Sequence, residues 1–136
     1  MKSSSSHIKL PSRGARSSTP IMAKMAAETL VATWRVASDM ARGNGADFTA
    51  VLQPVADIGS PTVDYLNLSA PFDIARSEQY RAVYPLIREI AESNKLNFVD
   101  LTGVYDGCDE CYIDFCHVGP QAHVLLVTAL SRHLLN

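Results

Sequence analysis

The chain has no apolar run near the ~18 residues that a membrane-spanning helix needs. It is also almost without net charge, since 12 Lys and Arg against 14 Asp and Glu leave −2 over 136 residues. The first absence excludes a spanning helix. The second removes the electrostatic attraction that nucleic acid or an anionic membrane surface requires. The cysteines number 3, Cys108, Cys111 and Cys116. An odd, clustered set is not the disulfide framework of a small secreted domain, so a reducing compartment, the cytoplasm, is expected. The N-terminus is basic and serine-rich but no apolar segment follows it, which excludes a secretory signal. No activated serine with an oxyanion hole is recognisable anywhere.

What is present is enough apolar material for one domain, with 47% of residues hydrophobic. Residues 1–19 are polar and aperiodic and are expected to be a disordered or non-native tail outside the fold. From 20 to 42, Met22, Met25, Ala26, Thr29, Leu30, Thr33, Val36, Ala37 and Met40 recur at helical steps. Pro20 suits a first turn, and Gly43-Asn44-Gly45 ends the helix. Residues 47–54 form a short apolar run closed by Pro54, which reads as a buried parallel strand. Residues 55–76 show no period and read as a long loop.

Helical spacing returns from 77 to 94 through Tyr80, Val83, Tyr84, Ile87, Ile90 and Ala91. Pro85 inside that stretch means either a kink or a start near Tyr84. Residues 97–101 read as a second strand and 102–118 as a loop. A final helix is expected from 119 to 135, with Ala122, Leu125, Leu126, Ala129, Leu130 and Leu134 on its apolar face. Helix, strand, helix, strand, helix predicts an α/β layer with parallel strands. Two parallel strands leave two bare edges, so the pattern also implies that strands are missing.

The chemistry-bearing element is Tyr112-Ile113-Asp114-Phe115-Cys116-His117-Val118-Gly119-Pro120. Asp114 lies three residues before His117 in a turn that leads into an apolar helix. At that spacing the carboxylate reaches Nδ1, fixes the ring tautomer and leaves Nε2 as a general base. The helix N-terminus behind His117 disfavours the imidazolium while Asp114 favours it, so the two oppose each other.

Phe98-Val99-Asp100-Leu101-Thr102, followed by a loop and then by Tyr112 to His117 and a helix, resembles the C-terminal part of SGNH (GDSL-type) hydrolases. Residues 48–54 resemble the preceding strand of bacterial members. The resemblance covers roughly 21 to 135 and is most specific over 96–120. It implies the last two strands and flanking helices of a flavodoxin-like three-layer α/β/α sandwich. It also implies that Asp114 and His117 are the acid and base of a Ser-His-Asp mechanism. The expected substrate is an acyl ester, on a lipid or an acylated carbohydrate, with no cofactor. The chain departs from the family in having no G-D-S nucleophile, no oxyanion Gly and no G-x-N-D element. Asp57-Ile58-Gly59-Ser60 is in the wrong place and order, and Gly43-Asn44-Gly45-Ala46-Asp47 falls at a helix end. The chain is therefore expected to be inactive alone, because the serine half is missing, and to self-associate through its exposed sheet edge.

A second class is a non-catalytic binding or interaction module, with a metal at the loop of Cys108, Cys111 and Cys116. A resident zinc is not expected, because adjacent Cys116 and His117 should point apart and leave the set one ligand short. A redox pair of Cys108 and Cys111 is disfavoured by Asp106, Asp109 and Glu110 around it. Ser60 beside Pro61 reads as a turn residue. Trp34 reads as core or rim, and Asp73 and Glu78 as helix-start charges.

Overall fold

A computed structural model describes residues 20–135. The expected tail over 1–19 lies outside the described residues. The elements follow in the order α1 (Pro20–Gly43), β1 (Ala50–Leu52), α2 (Pro71–Ser93), β2 (Phe98–Asp100) and α3 (Pro120–Leu134). The class is α/β, with the two strands paired parallel and in register Ala50↔Phe98, Val51↔Val99 and Leu52↔Asp100.

The first helix ends where Gly45, at φ +72, takes the left-handed region that suits glycine. Asn44 Nδ2 closes the end by donating to the Met40 carbonyl at 2.8 Å. Its buried stripe is Ala23, Ala27 and Val31. Small side chains at four-residue steps let α2 approach closely, and Tyr84, Ile87 and Ala91 of α2 join Leu52 and Val55 in the same cluster. Trp34 lies at the rim, its ring 5.9 Å from that of Phe98. The face marked by Met22, Met25, Val36 and Met40 instead stands in solvent. Helix α1 carries apolar residues on two sides, and periodicity alone does not tell which side meets a partner.

Helix α2 starts at Pro71, six residues before the expected Ser77. Pro71 occupies the first turn and Asp73 adds a favourable charge there. Periodicity missed this turn because Phe72 and Ile74 are exposed and mark no core face. The helix runs unbroken through the exposed Pro85. Both strands are shorter than expected, because residues 47–49 and 53–54 stay outside the ladder.

Helix α3 packs on loops. Ala122 is fully buried among Ala56, Tyr105, Cys108, Cys111 and Tyr112, with Leu126 half-buried against them. Leu125 and Leu134 of its expected apolar face are exposed. Residues 53–70 and 101–119 leave the carboxyl ends of β1 and β2. In open parallel sheets this is the end where sites form.

Candidate active site

Residues 112–118 fold as a closed hairpin. Tyr112 bridges Val118 in antiparallel fashion. The Ile113 N–H donates to the His117 carbonyl at 2.7 Å, and the Gly119 N–H to the Cys111 carbonyl at 2.9 Å. Inside the hairpin, Asp114 Oδ1 accepts the backbone N–H groups of Cys116 at 2.9 Å and His117 at 2.8 Å. Its Oδ2 meets His117 Nδ1 at 2.7 Å. An acceptor-only carboxylate at that distance places the ring proton on Nδ1 and the lone pair on Nε2. Among the described residues no hydrogen bond reaches Nε2, and the His117 side chain is 74% exposed. The amides of Cys116 and His117, then the His117 ring, hold the Asp114 carboxyl far below its ordinary value.

The hairpin is anchored from four directions. Tyr65 Oη donates to the Tyr112 carbonyl at 2.8 Å and accepts the Tyr112 N–H at 3.0 Å. Tyr112 is buried and packs edge-on against Tyr105, 5.3 Å between ring centroids. Burial pushes its phenol well above the ordinary value. The Ala56 N–H donates to the Phe115 carbonyl at 2.9 Å.

The fourth anchor is Arg76, buried at 8% exposure. Its guanidinium carbon stands 4.1 Å from the centroid of the Phe115 ring, directly over the turn. It pairs with Asp57 through Nε at 3.1 Å and with Asp73 through Nη1. Burial works against its charge, but the two carboxylates outweigh burial and raise its pKa. Arg76 thus ties the loop after β1, the start of α2 and the Asp114–His117 turn together.

The loops also meet at Gly59, φ +81, where a Cβ would lie 2.6 Å from Asp106 Oδ1. The same carboxylate oxygen accepts the Ser60 N–H at 2.6 Å. Ser60 is therefore a turn residue in a tight crossing. No hydrogen bond joins its hydroxyl to His117 among the described residues.

Cys108 and Cys111 form a disulfide, with Cα atoms 5.8 Å apart. The sequence reading disfavours a pair here; the bond joins the two and removes both from any zinc set. Their buried positions in the second cluster, each beside a turn of the 102–112 loop, bring the two sulfurs together despite the acidic neighbours. Cys116 remains free and half-buried. It does not point away from its neighbour, because its Sγ lies 3.7 Å from His117 Nδ1.

A cavity of about 410 Å³ opens at the opposite, amino-terminal ends of the strands, lined by Arg35, Arg42, Lys95 and Asn97 among others. It contains neither Asp114 nor His117. The sequence located the Asp114–His117 pair but missed Arg76, Tyr65 and Asp106. These act across long separations and leave no local signal. No protein-family model, no curated protein and no solved structure matches this chain. No helix among the described residues is long and apolar enough to cross a membrane.

Proposed function

We propose that this chain supplies the acid and base of an SGNH-type ester hydrolase whose serine and oxyanion donors lie outside it. The observation that carries the reading is the 2.7 Å contact between Asp114 Oδ2 and His117 Nδ1, which leaves Nε2 open to solvent. The turn that holds the pair follows a parallel strand at its carboxyl end, the expected place for a site in such a sheet. In this reading β1 and β2 are the last two strands of a flavodoxin-like α/β/α sandwich. The substrate is an acyl ester on a lipid or carbohydrate, and no cofactor takes part.

His117 Nε2 would remove the proton from the serine hydroxyl as it attacks the ester carbonyl. The same ring would then protonate the departing alkoxide, and Asp114 would stabilise the imidazolium formed between the two steps. Without serine and oxyanion donors the pair supports little hydrolysis, because positioning and oxyanion stabilisation supply much of the rate.

The test joins the chain in frame to the serine-bearing half of an SGNH-type hydrolase and measures hydrolysis of short acyl esters. The isolated chain should stay near background and the fusion should be active. His117→Ala should then cost the fusion roughly three to six orders of magnitude in kcat, the loss typical of a triad base. Activity that survives His117→Ala, in a fusion shown to be folded, would refute the role of the pair. Strong esterase activity from the isolated chain would refute the external serine and turn attention to Ser60.

A further inference from the structure

We propose that Asp114 Oδ2, Cys116 Sγ and His117 Nδ1 form a binding site for a thiophilic divalent cation of the zinc type. Each of the three residues offers a ligand atom within 4.8 Å of those of the other two. They are a carboxylate oxygen, a thiol sulfur and an imidazole nitrogen, the donor types that zinc takes. The separations fit as well. Zinc–sulfur bonds of about 2.3 Å and zinc–nitrogen bonds of about 2.0–2.1 Å, set at a tetrahedral angle, put sulfur and nitrogen about 3.5 Å apart. The Sγ to Nδ1 distance is 3.7 Å. Oδ2 and Nδ1, now 2.7 Å apart around a shared proton, need to open by only a fraction of an ångström.

The turn is built to hold such a carboxylate. Asp114 Oδ1 is committed to two backbone amides, which fix the side chain and leave Oδ2 as the ligating atom. Cys116 is half-buried under the turn while His117 is largely exposed. The cation would sit at the rim of the fold, with its fourth position open to water or to a small exogenous ligand.

Binding is balanced by protons. The Cys116 thiol gives its proton to solvent, and the ring proton leaves Nδ1 and reappears on Nε2 as the tautomer changes. The metal-bound ring therefore has no lone pair on Nε2. If the ester-hydrolase reading holds, the cation switches the base off reversibly. The site itself does not rest on that reading, because binding is read without catalysis.

The experiment titrates cobalt(II) and zinc into the intact chain under oxygen-free conditions. No reductant is added, so that the Cys108–Cys111 bond stays closed. One cobalt per chain should bind with the near-ultraviolet absorption of a cobalt-bound thiolate. That band should vanish in Cys116→Ser. Affinity should fall at least about tenfold in both Asp114→Asn and His117→Gln, the loss that even outer-shell partners of a metal produce. A second measurement needs no variant: zinc should move the His117 Nδ1 nitrogen resonance and transfer the ring proton to Nε2. No thiolate band in a chain whose Cys116 thiol is titratable, or a band that survives Cys116→Ser, would overturn the site. So would a His117 ring that does not respond to zinc. Esterase loss in the fusion without cobalt or zinc binding would leave the hydrolase reading standing and this site refuted.

Discussion

At the turn, one carboxylate performs two tasks. Asp114 shapes the backbone through Oδ1 and orients the His117 ring through Oδ2. This was legible in the sequence because a spacing of three within a turn needs no knowledge of the rest of the fold. Arg76 was not legible, because it pairs with Asp57 across 19 positions and faces Phe115 on a third segment. Arg76→Met should lower stability by about 3–5 kcal/mol in urea unfolding, since two mostly buried carboxylates would lose their cation. A loss within 1 kcal/mol, which is the range of an ordinary surface pair, would contradict its keystone role. Acid should also unfold the protein. Asp114 and Asp100 both sit below the ordinary carboxyl value of 3.8. For Asp114 the chief cause is its two backbone amides. Asp100 is desolvated, but Thr102 and Arg88 outweigh that. A carboxyl depressed in the folded state stabilises folding above its unfolded value, and the contribution disappears as pH falls through the folded value. Unfolding free energy should therefore fall from about pH 4 downward, and Asp100→Asn should make that decline shallower.

Among the elements, the alternation of helix and strand was readable because its cues are local: apolar period, proline at a first turn, glycine at an end. What was not readable was which side of a helix meets which partner. The small residues Ala23, Ala27 and Val31 won the core because they admit α2 at close range, while the larger Met22, Met25, Val36 and Met40 stay outside. Their exposure predicts that the isolated chain binds the dye ANS or self-associates at micromolar concentration. A monomer that binds no dye would contradict it. The loop of 102–118 owes part of its order to the Cys108–Cys111 bond, which closes a short ring across a sequence separation of 3. Thiol titration should find one reactive cysteine per chain before reduction and three after. Chain-entropy reasoning gives about 2 kcal/mol for so short a ring, which urea unfolding with and without reductant would read.

At the scale of the molecule, the sheet consists of two strands only, and neither outer edge is covered by a third among the described residues. The ladder shows which groups wait. The Ala50 N–H bonds to the Asn97 carbonyl and the Leu101 N–H to the Leu52 carbonyl, so Ala50 and Leu52 face β2. Val51, between them, turns its N–H and carbonyl to the open side. That β1 is an interior strand of a wider parallel sheet is the claim on which the hydrolase reading depends. The direct measurement is amide hydrogen exchange at Val51, made in the isolated chain and again in the fusion with the serine-bearing half. The Val51 amide should exchange rapidly alone and become strongly protected in the fusion, while those of Ala50 and Leu52 are protected in both. A folded fusion in which Val51 still exchanges rapidly would contradict the claim, because no strand would have joined β1.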